Sequence, residues 1–384
     1  MIDILIQRAE QGGPEAMLEA LDEYLHKVLA SAGLGNKNQV YEAEERVEQS
    51  MGSAFEWDEE GYATLRVGER SYAAGRFETP SLAELYDALG DPQSKHRRGS
   101  PRLFVLEGVS PATDIGALQA FAPPDTLFQV ASQFNCLEAP DACLVKVQAY
   151  LRDPTQGPRA AVSCFPGALL RHYAAPREDG TRFLQQEDGE QIQLLKALCP
   201  EGVARVENGY LMDQNIADPV EFLGLLDSQF EHIRVGLHRG LEVVLGYAWE
   251  GGVPGAPHTR IAQAFTSTLA GGGYSQGRLN QEWTHAICLR LQRAAQLGTL
   301  LGAAHCGAKR AVLTLIGGGV FANPLPLIWE SIVWAVDELG RLGIELDIVV
   351  NGRNLGLHLP WQTLLSDTGA RGGVAILVGK RERV

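Results

Sequence analysis

Apolar residues recur at three- and four-residue steps through Met17, Leu18, Leu21, Tyr24, Leu25, Val28 and Leu29, with acids between them. That period predicts amphipathic helix within residues 1–50. Between Tyr62 and Phe77 the pattern shortens to strands around Val67-Gly68-Glu69-Arg70, a hairpin. Ser81-Leu82-Ala83-Glu84 is a capping box, opening a helix that Gly90 closes. Residues 91–101, with the run Lys95-His96-Arg97-Arg98, read as a polar loop whose charges are solvated.

From Leu103 onward short apolar runs alternate with helical stretches. Strands are expected at 103–106, 127–131, 160–164, 241–245 and 264–269. A long helix is expected over 281–306, buried along Ile287, Leu291, Ala294, Ala295 and Leu301 and ended by Gly307. The clearest unit is a buried strand over 311–316, a loop Gly317-Gly318-Gly319-Val320-Phe321-Ala322-Asn323-Pro324, a helix over 325–339 and a second strand over 346–350. A strand, helix and strand in that order make a crossover, so the two strands run parallel under helical cover. The fold class expected is α/β, a mixed sheet flanked by helices, with residues 1–95 as an α+β extension and 96–384 as the main domain.

Composition narrows the functions. The chain has 384 residues, 33 Lys and Arg against 47 Asp and Glu, a net charge of −14, and 45% apolar residues. Such a chain can bury a core, so disorder is excluded. Its acidic surface repels nucleic-acid backbones. No run approaches the ~20 apolar residues that span a bilayer. The N-terminus has Asp3 where a signal peptide would be basic. Six scattered cysteines without a C-x-x-C pair read as reduced core thiols, which suits a cytoplasmic protein. Neither zinc-type spacing nor H-E-x-x-H occurs, so no metal and no bound cofactor are expected. None of the nine histidines sits in a recognisable nucleophile motif.

Three glycines at a strand's carboxyl end, opening into a helix, suit an anion. The backbone can approach a ligand closely there and aim its N–H groups at it. Gly317, Gly319 and Ala322 also fit G-x-G-x-x-A, the dinucleotide fingerprint. That fingerprint wants an acid at the end of the next strand, whereas Asp347 lies inside it. A second run, Gly271-Gly272-Gly273-Tyr274, reads as a flexible turn or as a second loop of the same cleft.

Three segments together, 128–138 (FQVASQFNCLE), 153–158 (DPTQGP) and 315–324 (LIGGGVFANP), resemble a divergent macrodomain. They are most similar to the MavL-type branch, related to poly(ADP-ribose) glycohydrolases, and the resemblance covers residues 100–355. It implies a macrodomain fold, ADP-ribose as ligand or product, and removal of ADP-ribose from modified protein, with ubiquitin the target of the branch's type member. It places Asn135 at the distal ribose, Gly317, Gly318, Gly319 and Val320 around the diphosphate, Phe321 against the distal ribose, and Asp114 with Ile115 at the adenine. Gln133, Gln156 and Asn323 join the ligand-binding set. The usual Asn-Ala-Ala-Asn sequence is absent, and no pair of adjacent glutamates follows either glycine run.

Cleaving an ADP-ribosyl bond passes through an oxocarbenium-like state, and needs a group to activate water and an acid for the leaving group. Glu138 is the first candidate acid or base and Asp153 the second, with Asn135 orienting ribose hydroxyls. Each residue also has a purely structural reading: Glu138 as a capping carboxylate, Asp153 as a turn-initiating side chain, Asn135 as a brace of its own loop. Gln133 and Gln156 either line a pocket or satisfy buried backbone. Hydrolase, non-catalytic ADP-ribose reader and Rossmann-like dinucleotide enzyme are the functions that follow. A glutamate at Gly318 is expected to fill the diphosphate position with little effect on the fold.

Overall fold

The computed structural model describes residues 37–90, 96–108, 112–177, 179–246, 259–352 and 355–378, together with Ile2, Ile6, Gln7 and Glu23. The helix expected around Met17 to Leu29 lies outside the described residues. In chain order the elements are α1 (Lys37–Ser50), β1 (Phe55–Trp57), β2 (Ala63–Val67), β3 (Arg70–Glu78), α2 (Leu82–Gly90), β4 (Arg102–Gly108), α3 (Ile115–Ala120) and β5 (Thr126–Ala131). There follow α4 (Gln156–Ser163), α5 (Phe165–Tyr173), α6 (Pro219–Ser228), β6 (Gly236–Glu242), β7 (Arg260–Thr266) and α7 (Gln281–His305). The chain continues with β8 (Arg310–Thr314), α8 (Leu325–Arg341), β9 (Asp347–Asn351), α9 (Trp361–Ala370) and β10 (Ala375–Val378).

These ten strands form one mixed sheet in the order β1-β2-β3-β6-β7-β5-β8-β9-β4-β10, and two-residue strands elsewhere pair outside it. From β7 to β10 every neighbouring pair is parallel. From β1 to β7 every pair is antiparallel. The hairpin at Gly68 and Glu69 closes β2 on β3, Gly68 taking a positive φ of 59° as a tight two-residue turn requires. Because β3 also pairs with β6, the N-terminal segment supplies three strands to the common sheet. The capping box forms, Ser81 N donating to Glu84 Oε2 at 2.6 Å and Glu84 N to Ser81 Oγ at 3.2 Å.

Adjacent residues of a strand point to opposite faces, and β6 shows both covers. His238 lies under Gly167 of α5, and Leu237 under Gly302 of α7. The expected strand over 160–164 is instead the end of α4. Short apolar runs do not distinguish strand from buried helix, and Ala160, Ala161 and Val162 are all buried there. The strand expected at 241–245 begins earlier and ends at Glu242. Strand β10 and helix α9 were not anticipated. No helix among the described residues is long and apolar enough to cross a membrane.

Along α7 a polar row is buried between two apolar stripes. Gln292, Gln296 and Thr299 are fully buried, as is Gln129 of β5. Gln129 Nε2 donates to Gln296 Oε1 (3.2 Å) and Thr299 Oγ1 (3.0 Å), and Gln129 Oε1 accepts from Thr314 N at 3.1 Å. Gln292 Nε2 donates to Ile316 O at 2.8 Å and Asn323 Oδ1 at 3.1 Å. Replacing Gln292 with Leu leaves two buried acceptors short of a donor. The expected loss is about 2 kcal/mol of unfolding free energy, read from urea denaturation; an unchanged midpoint would show that these bonds are dispensable.

Candidate active site

A cavity of about 590 Å³ opens at the carboxyl ends of β5 and β8. This is where ligands sit in open α/β sheets, and the volume lies in the range of small-molecule sites. One wall is Ala131, Ser132, Gln133 and Glu138; a second is Asp153 and Thr155 to Pro158. The third runs from Thr314 to Gly317 and on through Gly319, Val320 and Phe321, and Tyr210 and Tyr274 close one side.

Each glycine of the 317–319 loop has a different task. Gly317 has a φ of 76°, and a Cβ there would stand 2.5 Å from Thr268 Oγ1. A Cβ on Gly318 would meet Leu325 Cδ2 at 2.7 Å, so this residue faces helix α8 and not the cavity. That corrects the expectation for Gly318: a glutamate would be driven into the apolar packing and cost the fold. Gly319 has nothing within 4 Å of its Cβ position and lines the cavity. The loop is closed by Ala322 N donating to Gly319 O and Asn323 N to Gly317 O, both at 2.9 Å. The amides of Gly319, Val320 and Phe321 donate to no group among the described residues. Successive unused N–H groups just before the start of a helix make a cradle for an anion.

Asn323 braces this loop from behind. Its Nδ2 donates to Leu269 O at 2.9 Å and Phe321 O at 3.1 Å. It does not line the cavity. The second glycine run packs directly on the first, Gly271 N donating to Phe321 O at 3.1 Å, so it is a second loop of the same cleft. It presents Tyr274, which forms a cluster with Tyr210 and Phe321 at centroid separations of 5.2 to 5.6 Å. Asp213 pins that loop, accepting from Gln276 N at 2.8 Å, Arg278 N at 2.5 Å and Ser275 Oγ at 2.9 Å. Tyr210, Tyr274 and Thr314 were missed in the sequence; only Tyr274, directly after three glycines, carried a signal.

The loop after β5 turns through Cys136 in the left-handed region at φ 62°. It is held by side chains. Arg171 Nε donates to Cys136 O at 3.1 Å and Gln185 Nε2 to Asn135 O at 3.1 Å. Asn135 accepts from Leu137 N at 3.0 Å and donates to Gln191 Oε1 at 3.1 Å. Its amide thus braces its own loop, and Asn135 does not line the cavity. Asp114 caps α3 by accepting from Ala117 N at 3.0 Å and pairs with Arg159 at 2.7 Å. Ile115 is buried at the start of α3, and neither residue lines the cavity.

Glu138 is brought to the wall almost without solvent, 2% exposed. Its Oε1 has no hydrogen-bond partner among the described residues, and its Oε2 lies 2.7 Å from the position that a Cβ on Gly157 would take. Loss of hydration holds its carboxyl well above the ordinary range, opposed in part by the Arg171 cation and the Ser132 hydroxyl and reinforced by Asp153. Glu138 is therefore placed to carry a proton. Asp153 lines the second wall while its Oδ1 accepts from Thr155 N at 2.8 Å, so it is a turn residue and a cavity residue at once. Gln133 Oε1 and both polar atoms of the Gln156 amide are buried and have no partner among the described residues. Orphaned polar atoms on a cavity wall are costly, and a polar ligand relieves them.

Beneath this wall Arg171 is fully buried, its guanidinium carbon 3.6 Å from the Phe265 ring centroid. Burial lowers its pKa to about 10, which leaves it charged at neutral pH. Its Nη1 lies 2.9 Å from His238 Nδ1. A guanidinium only donates, so Nδ1 accepts and Nε2–H donates to Ala74 O at 2.7 Å. Burial and the Arg171 charge hold His238 neutral, far below its usual pKa.

No family model and no curated protein matches the chain. Among solved structures, poly(ADP-ribose) glycohydrolase from Thermomonospora curvata aligns over 82% of this chain and 92% of its own, at 14% identity and a TM-score of 0.40. The same protein bound to the inhibitor ADP-HPD aligns equally. Poly(ADP-ribose) glycohydrolase from Deinococcus radiodurans in complex with ADP-ribose covers 71% of this chain and 85% of its own, at 14% identity and a TM-score of 0.39. These are likenesses of outline, and the chemistry of the site rests on its own residues.

A carboxyl whose pKa is raised by folding stabilises the folded state fully below its unfolded value and loses that contribution as pH rises toward its folded value. Glu138→Gln removes this penalty. Relative to wild type the variant should gain up to about 1.4 kcal/mol of unfolding free energy per pH unit above pH 4.5. Parallel stability–pH curves for the two proteins would mean that Glu138 is ionised in the folded state.

Proposed function

We propose that this chain is an ADP-ribosyl hydrolase, a macrodomain-type enzyme that removes ADP-ribose from modified protein. The observation that carries the reading is the meeting, in one cavity, of three amides at Gly319, Val320 and Phe321, unused among the described residues, with the carboxyls of Glu138 and Asp153 on its other two walls. The amides and the N-terminus of α8 bind the diphosphate. Phe321 and its tyrosine neighbours pack on the distal ribose, and Gln133 and Gln156 bond its hydroxyls. The anomeric carbon then faces the two acids. Glu138, kept protonated by burial, donates to the departing atom as charge builds on the ribose, and Asp153 orients the water that attacks. Holding the ribose in that pose supplies part of the rate by itself. The modified protein is identified by assay; ADP-ribosylated ubiquitin is the first to try.

Isothermal titration should give micromolar binding of ADP-ribose and much weaker binding of NAD. Gly319→Glu should lose at least about a hundredfold in that affinity with an unchanged melting temperature, because its side chain enters open cavity and places a carboxylate among the diphosphate's donors. Glu138→Gln and Asp153→Asn should keep the affinity and lower turnover about 10²- to 10⁴-fold. Full turnover in both variants refutes the assignment of the acids. A wild type that binds and never turns over is a reader, and one that prefers NAD is a dinucleotide protein.

A further inference from the structure

Both proposed acids hang on one short helix, and that helix hangs on the N-terminal segment. Val147–Arg152 is a single 3₁₀ helix of 6 residues with Asp153 as its C-cap, Asp153 N donating to Tyr150 O at 3.1 Å. Its buried Tyr150 turns back to Glu138, whose backbone N–H donates to the tyrosine hydroxyl at 3.1 Å. The first amides of such a helix have no partner within it. Here they are taken by Glu44 of α1, fully buried, with Val147 N on Oε1 at 2.6 Å and Gln148 N on Oε2 at 2.8 Å. The Tyr173 hydroxyl fixes the same carboxyl from α5, donating to Oε1 at 3.0 Å.

We propose that α1 is part of the catalytic scaffold, with Glu44 acting as a positioning residue that sets Glu138 and Asp153 against each other through the 147–152 helix. This rests on the hydrolase reading above. Apolar packing alone already docks α1, through Val40, Ala43 and Val47. The carboxylate adds what packing cannot, a fixed register for two particular amides. Taking a charge out of water costs several kcal/mol; three donors offset part of that cost, and burial still holds the Glu44 carboxyl above its ordinary pKa. The glycine cradle is built from β8, α7 and α8 and shares no contact with Glu44, so ligand affinity and turnover should separate.

The test uses the full chain, with titration against ADP-ribose and turnover of an ADP-ribosylated protein. Glu44→Gln keeps the volume but turns an amide –NH₂ toward a backbone N–H. It should hold ADP-ribose within about threefold of wild type while kcat falls at least about tenfold with KM unchanged. Tyr150→Phe, which cuts the link to Glu138 without touching α1, should do the same, and the double variant should lose no more than the worse single one, as two breaks in one chain of contacts do. If Glu44→Gln does not fold, Tyr150→Phe alone decides, and full turnover in it overturns the proposal. So does a fall in affinity and turnover together, the mark of a smaller folded fraction. A wild type that turns nothing over removes the hydrolase reading and this inference with it. An active wild type matched by both variants removes this inference alone.

Discussion

The loop that leaves β5 and the chain at the end of β8, as far as Ile316, are largely buried, and their peptide groups cannot turn to water. That constraint shapes the centre of the molecule. Gln292, Gln296 and Thr299 lie four and three residues apart, so one face of α7 presents them in a column. Gln129 meets the column from β5 and passes a bond to the backbone at Thr314; Gln292 meets the glycine loop through Ile316 and Asn323. The strand ends and the loop are thereby tied to a single helix. An apolar column at the same positions would pack as well but would leave those carbonyls and amides without partners, at a cost of about 1–3 kcal/mol each.

The second buried system lies on the other face of the sheet and is electrostatic. Arg171 is a fully buried cation held by a carbonyl, an aromatic face and a neutral histidine. It anchors the left-handed turn at Cys136 and biases Glu138 toward ionisation from behind, while desolvation pushes the other way and prevails. Position thus favours the protonated carboxyl, and a charge at its back opposes that preference.

How legible was this from the amino-acid order? Local chemistry came through. The hairpin at Gly68, the capping box at Ser81, the crossover between β8 and β9 and the glycine loop all rest on residues a few positions apart. Features that depend on distant neighbours did not. Residues 160–164 read as a strand because burial on every side erases periodicity. Gly318 and Gly319 are indistinguishable in sequence, yet one faces Leu325 and the other open cavity. Asn135 and Asn323 are polar residues in the loops after β5 and β8, and only the fold reveals that their amides brace those loops and do not line the cavity. Arg171 and Tyr210 carried no local signal, because their partners lie 35 and more residues away. Glu138 was singled out as the carboxyl near Asn135 and Asp153 as the reserve, from the segment 153–158, and both line the cavity.

A sheet of ten strands has two edges at which a second copy could pair. Its two borders are β1, of three residues, and β10, of four. Open strand edges are templates for intermolecular pairing, and short ones are poor templates. The strands long enough to recruit a partner, β3, β4, β6 and β7, all lie inside with both edges occupied. The wide platform that carries the site is thereby combined with borders that give aggregation little to extend, and the acidic net charge works in the same direction.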